Sequence, residues 1–406
     1  MSNATVESIA TAPHFLSIAE RDRRWAAIQE RMTAEGLDVL ILPASANRWE
    51  QSMADSRYAT GIGGFGTETL TVVAKGQAPT AYLFNRAGWW KSHANRWLDD
   101  IRDGRNQWTS NVIERLGEIG FSRGRIGLSG LLGHNRTPDG TAPHHMIEVL
   151  KEKYPGTELV DASKLVLQLR SIKSDEEVAT LERSAAVTDQ MVAAMVAAAR
   201  PGVTERAVYA ALVNAMLLGG ADLPSLLIFA SGSGLEIGHG QFVPTDRVLQ
   251  DGDLLVNELE ARIAGYGAQT VAPVWLGKPD DRYRKLSETA ETVFAAVLEQ
   301  LRPGATMQSL MDVYFETIKR EGKGTMVGSF PLMHARGLGD EIPAVVNAAD
   351  LAESGGATLV ANMVFVLKPR VRAAEGKMSA QVGDTVVVTP NGGRRLGKRK
   401  LGLACV

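Results

Sequence analysis

Apolar positions recur at helical spacing over residues 17–35 and stop at Gly36, where Leu37-Asp38-Val39-Leu40-Ile41-Leu42-Pro43 takes over. The change of period predicts a helix feeding a strand. Further short apolar runs over 69–73, 81–84 and 125–128 carry the βα rhythm of a small α/β domain. The glycines of Tyr58-Ala59-Thr60-Gly61-Ile62-Gly63-Gly64-Phe65-Gly66 precede a strand instead of joining a strand to a helix, so they read as a tight turn and not as a dinucleotide fingerprint.

The pattern changes near residue 170. Ser174 with Glu177 forms a Ser-x-x-Glu capping box, and Val178, Leu181, Ala185, Val187, Met191, Val192 and Met195 continue a long helix to about 199. Pro201 and Gly202 stop it. Thr204 opens a second helix that runs to about 218 and ends at Gly219-Gly220. The same sequence of events recurs: a helix over 282–301, then Arg302-Pro303-Gly304-Ala305-Thr306 matching Arg200-Pro201-Gly202-Val203-Thr204, then a helix over 306–321 ended by Gly322. This is a duplicated unit of two helices and a strand, predicted to place its helices on the outer face of a curved sheet. The strands fall at 225–229, 253–263, 269–275, 363–369 and 384–389. A histidine follows each unit's helix pair, His239 in the first and His334 in the second, so the duplication draws two imidazoles toward one pocket. The expected division is an N-terminal α/β domain over 1–168 and a C-terminal domain over 169–406.

Composition narrows the function. With 406 residues, 45% hydrophobic and 22% charged, the chain fits two soluble globular domains. A net charge of −2 and a pI near 6.4 leave no basic footprint for nucleic acid, and the cations of 394–400 read as a solvated tail. Cys405 is the one cysteine, so neither a disulfide framework nor a thiolate metal cluster is expected. No apolar run approaches membrane-spanning length and no signal-peptide pattern is seen, which fits a cytoplasmic protein with no membrane partner. Trp89, Trp90, Trp97 and Trp108 are dense enough to suggest an interface or the lip of a pocket.

Ile172-Lys173-Ser174-Asp175-Glu176-Glu177, Ala230-Ser231-Gly232 before His239, Asp246-Arg247-Val248-Leu249, Gly252-Asp253-Leu254, Gly265-Tyr266, His334-Ala335-Arg336-Gly337-Leu338-Gly339 and Asp384-Thr385-Val386-Val387-Val388-Thr389 resemble, in order, the creatinase, prolidase and aminopeptidase P superfamily. The resemblance spans essentially the whole chain. It implies a creatinase-type N-terminal α/β domain, a C-terminal pseudo-twofold "pita-bread" domain, and a homodimer in which one subunit's N-terminal domain helps to wall the other's pocket, with Phe65 and the tryptophans as candidates for that wall. Peptidases of this superfamily hold two divalent metals with two Asp, one His and two Glu. The matching positions here are Glu258, Gln269, His334, Lys368 and Gly383. Hard cations need several oxygen or imidazole donors, so no metal and no cofactor is expected, and Lys368 stands where a dication's charge would be, able to pair with Glu258. Glu260, two residues on, reads as a solvated partner of Arg262.

Creatinases work without metal, and the resemblance makes His239 the proton shuttle, a role an imidazole suits near neutrality. His334 then orients substrate or serves as a second acid/base, while Arg336 and Asp340 bind a carboxylate and an amine. Glu258 holds a cation or polarises water, and Gln269 and Phe65 contact substrate. The contacts that creatinases make to creatine are missing, since Val271, Lys368 and Thr67 occupy their places. A lysine facing a guanidinium leaves donors unpaired, so creatine is not the expected substrate. The expectation is a metal-independent hydrolase of a small non-peptide C–N bond in an anionic or aromatic substrate, with Lys368 as electrostatic stabiliser. A lyase cleaving C–C, C–O or C–S, and an inactive binding homologue, are the alternatives.

Overall fold

The computed structural model describes residues 16–43, 53–64, 67–85, 87–94, 97–133, 139–223, 226–233, 243–330 and 332–406. The chain forms two compact units, Met1–Arg170 and Ser171–Val406.

In the first unit the described strands are β1 (Val39–Leu42), β2 (Thr69–Ala74), β3 (Thr80–Leu83), β4 (Ile101–Asp103), β5 (Arg125–Leu128) and β6 (Glu158–Asp161), in the order β4-β3-β2-β1-β5-β6. The sheet is mixed: β1 pairs β2 antiparallel and β5 parallel. The helix Ile18–Ala34 begins where the hydroxyl of Ser17 accepts the Glu20 amide at 3.1 Å. Gly61, at φ 71°, ends the helix Ala54–Thr60, so the glycine run opens on a helix cap. Trp90 and Trp97 are buried within this unit, and the Trp97 indole donates to the Leu16 carbonyl at 2.9 Å. Trp89 stays half exposed against the edge of Trp90.

The second unit carries the duplication. Its first sheet joins β7 (Leu227–Ser233), β8 (Asp253–Ile263), β9 (Tyr266–Thr270) and β10 (Val274–Trp275) with β19 (Ala404–Cys405). Its second joins β12 (Met333–Arg336), β13 (Asp340–Val345), β14 (Val364–Leu367), β17 (Asp384–Thr389) and β18 (Gly392–Arg395). A small sheet of β11 (Met326–Ser329), β15 (Arg370–Ala373) and β16 (Ser379–Gln381) stands beside them. The helices Asp175–Ala198 and Glu205–Leu218 bury Met191, Met195, Val208 and Leu212 against Phe229, Leu255 and Leu259. Asp281–Gln300 and Met307–Gly322 do the same with Phe294, Leu310 and Tyr314 against Phe365 and Val386. The joints between the paired helices match atom for atom. Gly202 and Gly304 both sit at φ 88°, a conformation that favours glycine, and donate to the carbonyls of Leu249 and Leu359 at 2.9 and 3.0 Å. Thr204 and Thr306 cap the helices that follow.

Three expectations need correction. The predicted strand 269–275 is broken into β9 and β10 around Val271-Ala272-Pro273, where a prolyl nitrogen cannot donate to a ladder. The last long helix runs through Gly322 and is capped by Lys323 in the left-handed region, φ 45°. The basic tail is not simply solvated: Arg395 binds Asp384, and the half-buried Arg399 donates to Thr270, Val271 and Gly383. Among the described residues no helix is long and apolar enough to cross a membrane.

Candidate active site

Strand β8 supplies the charges. Alternate residues of a strand share a face, so Glu258, Glu260 and Arg262 project together. Opposite them the chain leaves β14 at Leu367 and enters Lys368, whose amide is fixed on the Leu332 carbonyl at 2.8 Å. The Lys368 ammonium closes on the Glu258 carboxylate in an ion pair whose side chains are 5% and 9% exposed. Burial of a lone charge costs several kcal/mol, so each of these groups needs the other.

Glu258 lines a cavity of about 290 Å³ with Ile228, Val256, Val271, Phe330, Arg370 and Gln381. Lys368 is not part of that lining and bears on the cavity through Glu258. Arg370 donates to the Gln381 side-chain carbonyl at 2.8 Å, and burial lowers its pKa against the opposing pull of Glu258. Sequence reasoning missed Arg370 and Gln381. The signal was a second cation two residues beyond Lys368, invisible until β15 and β16 are known to pair.

Gly383, which the sequence resemblance sets against the superfamily's second Glu, lies where a Cβ would come within 2.8 Å of the Lys368 Cβ and 3.1 Å of the Leu367 carbonyl. No side chain fits without backbone movement. The amide of Gly383 donates to the Val271 carbonyl at 3.0 Å, which keeps the two segments together.

The other anticipated residues form a second group. Glu260, expected on the surface, is fully buried, and so is Arg262. The error lay in treating an acid and a base two apart as a solvated pair, when β8 is buried on both faces. Glu260 accepts from Arg262 at 2.6 Å, from the Gln269 amide at 2.9 Å, and from Arg336. Burial pushes its carboxyl pKa up, but Arg262 and Arg336 outweigh that and hold it below the ordinary value. Arg336 also binds Asp340, and Asp340 lies 3.5 Å from the His334 ring nitrogen Nδ1. Arg336 thus spends its donors on Asp340 and Glu260, and the Gln269 amide is given to Glu260. Lys173 with Glu341 adds a further pair with no exposed side-chain surface. His239 and Phe65 lie outside the described residues. Glu205, though, accepts from the amides of Ser231 at 2.8 Å and Thr245 at 2.9 Å, on either side of the His239 segment. Among the described residues no group of three or more His, Cys, Asp or Glu side chains is placed to hold a metal ion.

A mixed α/β N-terminal domain followed by a duplicated two-sheet domain is the creatinase and prolidase architecture, and solved structures share it. The X-Pro aminopeptidase of Thermotoga maritima superposes with a TM-score of 0.75 at 20% identity, covering 95% of this chain and 99% of that one. The prolidase of Pyrococcus furiosus gives 0.71 at 23% identity, covering 92% and 99%. The profile of metallopeptidase family M24 matches residues 179–390, and that of the creatinase/prolidase N-terminal domain matches residues 24–172. The chain belongs to the creatinase, prolidase and aminopeptidase P superfamily. Among curated relatives, the Pyrococcus furiosus Xaa-Pro dipeptidase is 29% identical over 261 residues, 64% of this chain and 72% of its own. A creatinase from a Bacillus species is 28% identical over 396 residues, 94% of this chain and 92% of its own.

Proposed function

We propose that this protein is a metal-independent, creatinase-like hydrolase that cleaves a C–N bond in a small, non-peptide, anionic substrate. The observation that carries the reading is the Lys368–Glu258 ion pair at the wall of the cavity. At the positions that match the superfamily's metal ligands, the chain offers one carboxylate already bound to an ammonium, an amide given to Glu260, one imidazole, a lysine and a glycine. Such a donor set does not fit a pair of divalent ions, because each needs several oxygen or imidazole donors and an ammonium in their midst repels them. The creatinase relative, aligned over 94% of this chain, supports the creatinase-like side of the reading.

In this mechanism the water oxygen bonds to the substrate carbon as the C–N bond breaks, and His239 passes the water's proton to the leaving nitrogen. Glu258, paired with Lys368, orients the attacking water. The ammonium lies one carboxylate away from the reacting atoms and favours negative charge developing in the cavity. A second copy of the chain completes the pocket with its N-terminal domain, and the enzyme works in the cytoplasm.

The test is turnover of small N-acyl and amidine acids by purified enzyme in ¹⁸O-labelled water, before and after dialysis against a chelator. The expected result is undiminished turnover, with label in the acid product. Unlabelled product indicates elimination by a lyase. Two tightly bound divalent ions, with dipeptide cleavage abolished by the chelator, make the protein an Xaa-Pro peptidase and end the proposal.

A further inference from the structure

We infer that Glu205 is the positioning residue for the acid/base His239, its buried carboxylate fastening both ends of the segment that carries the imidazole. The inference rests on the reading of His239 as the group that moves the proton, and assigns the side chain that holds it in place. His239 itself lies outside the described residues; Ser231 and Thr245, on either side of it, lie within them.

Glu205 is the first residue of the helix Glu205–Leu218 and is 3% exposed. One carboxylate oxygen accepts the Ser231 amide at 2.8 Å and the Ser231 hydroxyl at 2.6 Å; the other accepts the amide of Thr245 at 2.9 Å and its hydroxyl at 2.5 Å. Four donors fill the lone-pair sites of a carboxylate. Arg247 fixes both hydroxyls in turn. Its guanidinium donates to the Ser231 hydroxyl at 2.9 Å and its amide to the Thr245 hydroxyl at 3.2 Å, while Asp253 accepts the guanidinium on both oxygens. Burial pushes the Glu205 carboxyl pKa up, but the hydroxyls and amides of Ser231 and Thr245 outweigh that and hold it below the ordinary value.

The second repeat shows that the two-helix unit does not need this carboxylate. Met307 takes the matching place after its own cap and is buried in the core. The backbones agree: Glu205 and Met307 donate to the carbonyls of Arg247 and Ala357 at 2.9 and 3.2 Å, and Arg206 and Gln308 to those of Thr245 and Gly355 at 3.2 and 2.9 Å. Burying a carboxylate costs free energy that a methionine does not. Packing therefore does not account for Glu205, and the segment it fastens is the one with the proton-carrying histidine. Holding such a group by locked neighbours is what keeps it in line with the reacting atoms.

NMR of the full-length protein labelled at histidine Cε1, with the His239 signal assigned by its loss in His239→Gln, tests this without a substrate. Glu205→Met, the residue of the other repeat, is expected to move the His239 signal by more than its line width and to leave that of His334 in place. Glu205→Gln keeps one acceptor oxygen and should move it less. With the small N-acyl acids of the turnover assay as probe, kcat should fall on the order of a hundredfold in Glu205→Met with KM little changed, because a displaced acid/base slows the proton step without loosening the ligand. A His239 signal unmoved in both folded variants overturns the inference, as does a moved signal with kcat unchanged or a shift shared by His334. Failure of both variants to fold overturns it too, since the carboxylate would then build the unit that Met307 builds without one. Metal-dependent turnover with the His239 signal moved removes the proposed function and leaves this inference standing; metal-free turnover with the signal unmoved does the reverse.

Discussion

Two ion-paired groups grow from the same strand, two residues apart, and have opposite fates. Glu260 with Arg262 and Arg336 is closed, with almost no side-chain surface left to solvent. Glu258 with Lys368 keeps a fraction of its surface and borders a cavity. Both obey the rule that a buried charge needs a partner. What differs is whether anything else can reach them: the closed group holds β8, β9, β12 and the turn into β13 together, and the open one is available to a ligand.

The sharpest way to break the comparison is Glu260→Ala, which takes the carboxylate from the buried Arg262 and leaves Arg336 with Asp340 alone. A loss of about 3–5 kcal/mol in urea unfolding is expected; a loss under about 1 kcal/mol would place the group among solvated pairs. Acid titration reads the same group another way. Because the folded pKa of Glu260 is lowered, its contribution is complete above the unfolded value of about 4.3 and is lost as pH falls through the folded value. Glu260→Gln is thus expected to flatten the acid limb of the stability curve, and an unchanged limb would show that other carboxylates control it.

Lys368→Met tests the open group. It leaves Glu258 beside the cavity, where a ligand-side cation or water can reach it, so the stability loss is expected to be smaller, about 1–3 kcal/mol. Turnover, by contrast, should fall on the order of a hundredfold. A variant with the opposite profile, unstable but fully active, would exchange the roles assigned to the two groups. The smallest effects belong to the repeat itself. Thr204→Ala and Thr306→Ala should each cost about 1 kcal/mol, as lost helix caps do, and their costs should add in the double variant because each cap serves its own core. Strong non-additivity in thermal unfolding would mean that the two halves do not stand as separate cores.

The elements with a local signal were legible in the chain. Ser174, Thr204 and Thr306 mark helix starts by chemistry that acts within three residues, and the strands over 253–263 and 384–389 carry the apolar triplets Leu254-Leu255-Val256 and Val386-Val387-Val388. The short edge strands β4 and β6 were not legible, being brief and partly exposed. The Lys368–Glu258 pair was anticipated because the resemblance aligned positions far apart in sequence. Glu260 was not, since its guanidinium partner Arg336 is 76 residues away and only folding makes it a neighbour. Arg370 escaped for the same reason, its meaning depending on Gln381 across a strand pair.

The crowding at Gly383 bears on how such a chain can change. Placing an acid there is not a matter of one codon, because the segments at 368 and 383 run too close for a second side chain. Even with Lys368 replaced, the segment would have to part from Val271 before a new ligand found room. Any route to an acid at position 383 therefore passes through a rearranged main chain, and point changes at the five positions alone should stall there.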